Sequence, residues 1–432
     1  MTMIYSQLIF LVCLSAAGVL FTRRMLYIRR NILSGRPADF SDAPKERWRT
    51  MARVALGQSK MVTRPFAGVL HLLIYAGFVI INIELLEIVL DGLLGTHRLF
   101  AGYLGGAYDF LIGTFEWLAA GVLVACVAFL VRRHGGAIAR FRAGELAGWP
   151  SRDANIILVA EILLMFAFLS MNAADALLQS REVAHYPEAG AFPVSQALQP
   201  LYEGLSNGAL VALERGMWWF HILGILAFLV YVPHSKHLHI LLAFPNTYYS
   251  RLRASGQMDN MPTIQSEVQA MLDPSAAPPA PSTDAPARFG VQDVTDLTWK
   301  QLLEAYTCTE CGRCSSVCPA HLTGKKLSPR KIMMDTRDRL EERAAAPDAP
   351  RTLLGDFISE EELWACTSCQ ACVDACPVNI SPMGIILDMR RNLIMEESRS
   401  PDSITSMFNN LENNGAPWAF PAASRGDWTQ NV

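Results

Sequence analysis

No glycine-rich GxGxxG run follows an expected strand anywhere in the 432 residues, and no phosphate-binding loop is present. The chain therefore offers no recognisable flavin or nicotinamide site of its own. Net charge is nearly absent as well: 37 basic against 40 acidic residues leave -3 at pH 7, so nothing global points to nucleic acid. Cysteine is scarce outside two short stretches, with only Cys13 and Cys126 beyond them. Both sit in apolar runs, where a small side chain in a packed or lipid-facing helix is the ordinary role. What abounds is apolar surface. A hydrophobic fraction of 51% and a mean hydropathy of +0.21 are too high for an ordinary soluble protein of this size.

That excess is concentrated in five segments. Ile4 to Phe21 is long enough to cross a hydrocarbon core of about 30 Å. No basic residue precedes it, while Arg23, Arg24, Arg29 and Arg30 follow at once, which reads as an uncleaved anchor with its N-terminus outside. Four more spans are expected at Phe66 to Leu90, Ala107 to Val131, Ile156 to Leu178 and Met217 to Ala243. The loop before Arg64 and the loop holding Arg132, Arg133, Arg140 and Arg142 are basic; the intervening loops carry chiefly Arg98, Arg181 and Arg215. The alternation predicts a multi-pass protein of the inner (cytoplasmic) membrane with everything after Phe244 in the cytoplasm, where thiols stay reduced.

The remaining eight cysteines form one pattern written twice, CTECGRCSSVCP from Cys308 and CTSCQACVDACP from Cys366. In such a run three thiolates hold one 4Fe-4S cluster and the fourth, before proline, reaches to the other cluster. Cys308, Cys311 and Cys314 would share a cluster with Cys376, and Cys366, Cys369 and Cys372 one with Cys318. Zinc sites more often pair two short knuckles, and disulfides need an oxidising compartment. The domains expected are a transmembrane domain over 1–250, a flexible linker over 251–297 built around DPSAAPPAPSTDAPAR, a mostly helical dicluster ferredoxin-type domain over 298–398, and an extended tail over 399–432 that contacts a partner or wraps the chain itself. Thr298 with Gln301 forms a capping-box pattern that opens the first helix of the cluster domain. Lys325, Lys326, Arg330 and Lys331 form a docking patch for an acidic partner or a solvated helix face.

Five histidines bear on the membrane part. His71 lies about two turns inside the second span, and the fifth carries His221 near its outer end and His234, His237 and His239 near its inner end. Two imidazoles at similar depth on separate helices can clamp a b-type haem; they can equally be satisfied polar groups or line a quinone pocket. Glu84, Glu87, Asp91, Glu116 and Glu161 are unusual in lipid. Such acids mark proton or substrate paths, or reach the headgroups; Glu84 is the better candidate for quinone protonation.

The spacing from His221 to His239, with Pro233 between and Lys236 beside them, resembles the last helix of the respiratory nitrate reductase gamma subunit family, a five-helix dihaem quinone oxidoreductase. The resemblance implies that His71 and His239 hold one haem b. Ile81 stands where that family has the second-helix ligand of its outer haem, so His221 is left to ligate a second haem with another partner or to face a quinone. WKQLLEAYTCTECGRCSSVCPAHLTGKKLSPRKIMMDTRD with LWACTSCQACVDACPVNISPMGIILDMRR is similar to the cluster domain of membrane electron-transfer flavoprotein:menaquinone oxidoreductases and of heterodisulfide reductase-like proteins. Members of that group continue into repeats with a Cys-Cys-Gly signature, which does not occur before Val432, so the resemblance implies that this module is a separate subunit or absent. Together these imply an oxidoreductase subunit of a respiratory chain. Electrons would pass from a cytoplasmic flavoprotein, or from a Cys-Cys-Gly subunit, through two clusters and haem b to menaquinone. His234, Lys236, His237 and Glu84 are the quinone candidates. Quinol-driven reduction of a cytoplasmic disulfide or trisulfide carrier is the competing reading, and an anchor and relay without a quinone site is a third.

Overall fold

The computed structural model describes residues 2–136, 138–254, 256–273 and 288–430. Among them there is no β-strand; the chain is helical, with isolated bridges only. It divides into two compact units. The first comprises Met1–Arg30, Ala43–Tyr248 and Tyr306–Gly312, the second Asn31–Asp42, Tyr249–Ala305 and Arg313–Val432. Most of the proline- and alanine-rich stretch expected as a linker lies outside the described residues.

The first unit is built on five helices long and apolar enough to cross a membrane: α1 (Thr2–Ile32), α2 (Pro65–Leu94), α3 (Gly106–His134), α4 (Trp149–Ser180) and α5 (Asn207–Tyr231). Each of α2 and α4 has proline in its first turn, where the missing N–H costs no intrahelical bond. Helix α3 packs against α2 on one side and α4 on the other, and α4 packs against α5. The buried face of α3 is Tyr108, Ile112, Phe115, Ala119, Val122 and Cys126, spaced alternately four and three residues apart. That 3.5-residue period is the seam of left-handed helix packing. Large apolar residues such as Val69, Val79, Phe110 and Val124 remain exposed, as lipid contact requires.

The fifth span differs from the expectation. It starts at Asn207, where the Ser206 side chain accepts from the Ala209 N–H, and α5 ends at Tyr231. Two single 3-10 turns follow, Val232–His234 and Lys236–Leu238, before α6 (His239–Tyr248). Pro233 has no N–H to donate and Ser235 is extended, so the helix cannot run through to Ala243. The earlier start was hidden because Glu214 and Arg215 read as polar, whereas Glu214 is buried against Arg215 and the Tyr186 hydroxyl.

The second unit centres on α7 (Trp299–Thr307, shared with the first unit at its end), α8 (Pro329–Ala345) and α9 (Pro382–Met395). Its buried core includes Val294, Leu297, Leu302, Ile332, Leu353, Leu363, Ile385 and Met389. The expected capping box is present: the Thr298 N–H donates to Gln301 Oε1 at 2.9 Å, and the Gln301 N–H to Thr298 Oγ1 at 3.3 Å. The stretch after α1 also enters this unit. Arg36 pairs with Leu297 and Trp299 across a short parallel bridge, and Gly35 lies so close to it that a Cβ would stand 2.7 Å from the Trp299 nitrogen.

Two expected boundaries need correction. The segment 251–297 is not one linker: Pro262–Leu272 is a helix, and Val291, Val294 and Leu297 are buried core. Its helix is supported by proline at the first turn and by Gln, Glu, Ala, Met and Leu within it, all good helix formers. Nor is the tail simply extended. Asp402–Asn414 forms α10, with Ile404, Phe408 and Leu411 at helical spacing and left-handed Gly415 closing it.

Candidate redox centres

The two cysteine loops have the same backbone. Glu310 and Gly312 in the first, and Ser368 and Gln370 in the second, all take left-handed φ, between 53° and 68°. Each is the third or fifth residue counted from the first cysteine of its run, so both loops turn at the same two positions. All ten cysteines are free thiols. Within the second unit, Cys318 stands among the second-run thiols. Burial raises the Cys372 thiol to about 12, with the nearby Cys366, Cys318 and Cys369 adding to it; burial likewise raises Cys366, next to Cys318 and Cys369. A set of thiols that repel one another's ionisation is a donor set that needs a multivalent cationic centre to deprotonate it. Among the described residues no three or more such side chains close tightly around a single metal ion. The Ser368 and Ile380 N–H groups donate to Cys366 and Cys376 sulfur at 3.4 and 3.3 Å.

The cation beside this centre was not anticipated. Arg390 on α9 donates to the Leu363 carbonyl at 2.6 Å and the Cys366 carbonyl at 2.5 Å, and its guanidinium lies 5.0 Å over the Trp364 ring. One half-buried arginine thus ties the second loop to α9, 24 positions away. The basic patch is dispersed. Arg330 is fully buried, Lys331 is held by Asp335 and Glu362, and Lys326 pairs with Glu361. Lys325 instead lines an open cleft of about 650 Å³ with Trp364 and Arg399.

In the first unit, His71 on α2 and His239 at the start of α6 bring their rings to 6.5 Å between centroids, tilted by 42°. Metal–imidazole bonds of about 2.0–2.1 Å, with roughly 1 Å from each ring nitrogen to its centroid, place two axial imidazoles about 6 Å apart. The pair has the spacing to hold a haem iron. His239 Nδ1 meets the Lys236 carbonyl at 3.1 Å, which leaves Nε2 for a metal. His237 packs edge-on against His239 at 5.5 Å and beside Phe228, while His234 is exposed. His221 is fourteen positions into α5, about 21 Å along it, and so lies at mid-helix rather than near the outer end. It is buried, its Nδ1 contacts the Leu164 carbonyl at 2.9 Å, and its ring packs beside Phe168.

The intramembrane acids separate into two kinds. Glu87, Asp91 and Glu116 secure loops at the end of the bundle far from His71. Glu87 accepts from the Phe100 N–H and the Tyr108 hydroxyl, Asp91 from the Arg98 and Leu99 N–H groups, and Glu116 from Val194, Ser195 and Asn172. Arg98, buried there, donates to Asp175 at 2.6 Å, Asn172 at 3.0 Å and Tyr108 at 3.2 Å. The sequence shows Arg98 only as a loop charge and gives no role to Asp175; an arginine just beyond a span and an aspartate within another are the available signal. Glu84 differs: it is 3% exposed and its Oε2 has no hydrogen-bond partner.

Twin cysteine loops, a helical fold and five apolar helices define a membrane-associated protein with a 4Fe-4S dicluster domain. That domain family matches over residues 307–380. The chain is 26% identical, over 99% of its own length and 61% of the relative's, to the probable iron-sulfur-binding oxidoreductase FadF of Bacillus subtilis. It is 27% identical, over 87% of its length and 52% of the relative's, to EtfAB:quinone oxidoreductase of Syntrophomonas wolfei. A shorter match, 33% identical over 26% of the chain and 60% of the relative, is to one subunit of the CoB-CoM heterodisulfide reductase of Methanosarcina acetivorans. These homologues are iron-sulfur oxidoreductases, and the chain spans between about half and three-fifths of the length of the first two. No solved structure matches.

Proposed function

We propose that the chain is the quinone-linked electron-transfer subunit of a membrane oxidoreductase. Electrons would come from a cytoplasmic flavoprotein of the electron-transfer type or from a Cys-Cys-Gly partner subunit, and end on menaquinone in the inner membrane. Cys308, Cys311, Cys314 and Cys376 would hold one 4Fe-4S cluster, Cys366, Cys369, Cys372 and Cys318 the other, and His71 with His239 a haem b. These groups supply one-electron carriers, and the protein supplies their positions and local fields. The observation that carries the reading is the His71 and His239 ring pair, spaced for an iron, in a bundle whose chain continues into twin cluster loops.

The chain's own residues orient His239 through the Lys236 carbonyl and hold the second loop through Arg390. His234 and His237 are the quinone contacts at the basic end. Glu84, with an unbonded buried oxygen, is a proton carrier at the far end, and His221 a ligand or quinone contact at mid-helix. The test is reduction of a menaquinone analogue by membranes containing the chain, its partner subunit and a reduced flavoprotein; no quinone reduction sinks the reading. The likeness to the heterodisulfide reductase favours the reverse flow as a second reading, and quinol oxidation that depends on a disulfide carrier would select it.

A further inference from the structure

Lys236 stands between two things the first unit must keep in register. Its ammonium donates to the Pro150 carbonyl at 2.6 Å and pairs with the Glu310 carboxylate, and its backbone N–H donates to Asp153 Oδ2 at 3.1 Å. Asp153 also takes the Tyr231 hydroxyl. The Lys236 side chain is 12% exposed, and those of Glu310 and Asp153 are each 3% exposed, so this is a buried ion cluster. Glu310 lies between Cys308 and Cys311, in the left-handed turn of the first loop, and Arg140 donates to the Cys311 carbonyl at 3.0 Å. The carbonyl of Lys236 meets His239 Nδ1.

We propose that Lys236 is a two-ended positioning residue. Its side chain fastens the Cys308–Cys311 loop to the turn between α5 and α6, while its carbonyl sets the ring tautomer of His239. This deepens the proposed function, on which it rests, by naming the residue that keeps the first cluster loop at the histidine pair. It also assigns Lys236 to Glu310 rather than to a quinone, since its ammonium already bonds Glu310 and the Pro150 carbonyl within the chain. The second loop has Ser368 where the first has Glu310, so the device belongs to one cluster only. An isolated charge left in such a site is costly, and for that reason the pair holds a fixed geometry that a surface pair would not.

The test uses the full chain in lipid nanodiscs, with Lys236→Met, Lys236→Arg, Glu310→Gln and the Lys236→Met/Glu310→Gln double variant. Hydrogen exchange of the Tyr306–Gly312 amides is expected to speed up at least tenfold in the methionine and glutamine variants, to be no faster in the double variant, and to be largely restored by arginine. The reduction potential of the cluster at the first run supplies a second readout, which loosening alone would not reproduce. Lys236→Met leaves Glu310 uncompensated and should lower it; Glu310→Gln leaves the lysine uncompensated and should raise it; the double variant should fall between. Unchanged exchange in both single variants, or potential shifts of the same sign, overturns the proposal. So does loss of menaquinone-analogue binding in Lys236→Met with exchange unchanged. Glu310→Gln preserves shape and keeps the test open if the methionine variant does not accumulate. A chain that fails to reduce quinone yet shows the exchange and potential changes would refute the proposed function and leave the latch standing.

Discussion

Cys318 belongs by position to the first run and by surroundings to the second, since it lies with Cys366, Cys369 and Cys372 in one unit. Substituting it should therefore damage the cluster of the other run. Cys318→Ser is expected to leave about four iron atoms per chain of about eight, with the surviving electron paramagnetic resonance signal equal to that left by Cys366→Ser. A signal matching that left by Cys308→Ser would reverse the assignment. Arg390 is a cation beside the same centre, and a positive charge favours the more negative, reduced state. Arg390→Met should lower that cluster's potential by tens of millivolts, read by redox titration. His71→Ala and His239→Ala should each abolish b-type haem absorbance in a pyridine haemochrome assay while leaving iron-sulfur content in place.

At the level of elements, the segment Asp293–Asp296 does more than lead into α7. Asp293 takes a bidentate pair from Arg339 at 2.9 and 2.8 Å and the Leu353 N–H at 3.1 Å, so it joins the start of the cluster domain to α8 and to the loop after it. Its removal leaves Arg339, 1% exposed, without this carboxylate, and Asp293→Ala should cost on the order of 3–5 kcal/mol by denaturant titration of the second unit. Despite the cost of burial, bonds from Arg339 and the backbone hold the Asp293 carboxyl below its usual range. A carboxylate lowered in the folded state contributes stability above its unfolded value of about 4, and that stability is lost as pH falls through the folded value. The wild type should thus lose stability below about pH 4 more steeply than Asp293→Asn. Elements such as α7 were legible because Thr298 and Gln301 lie within one turn, and the cysteine spacing is equally local. The true start of α5 was not, because a buried Glu214 and Arg215 resemble loop residues until their partners are known. The tail helix was obscured by asparagines, which weaken helix propensity without abolishing a periodic apolar face. Depth along separate spans groups His71 with the inner histidines, but the choice of His239 among them rests on resemblance, since the two residues are 168 positions apart and no local pattern joins them.

Over the whole molecule, the chain passes back and forth between its two units rather than crossing once: residues 31–42 leave the first unit and return to it, and so do residues 249–305. The sequence suggests two beads on a string, because composition marks the proline-rich stretch and gives no sign that Asn31–Asp42 belongs to the second bead. Arg36 pairs with Leu297 and Trp299 there, and the Trp299 indole donates to the Ala38 carbonyl at 2.9 Å. One consequence concerns fractionation. If a protease site is placed within 274–287 and cut, the polypeptide becomes two fragments, yet the C-terminal one should stay with the membrane pellet through washes in high salt. The bridge at Arg36 acts as a non-covalent clasp on a fragment rooted in lipid by α1. After the same cut, a chain carrying Gly35→Val, which forces that clasp open, should release more of the iron-sulfur fragment than the wild type, with the Lys236–Glu310 pair and the Asn379–Ser250 bond retaining the rest; equal release from the two chains would show that the clasp does not hold.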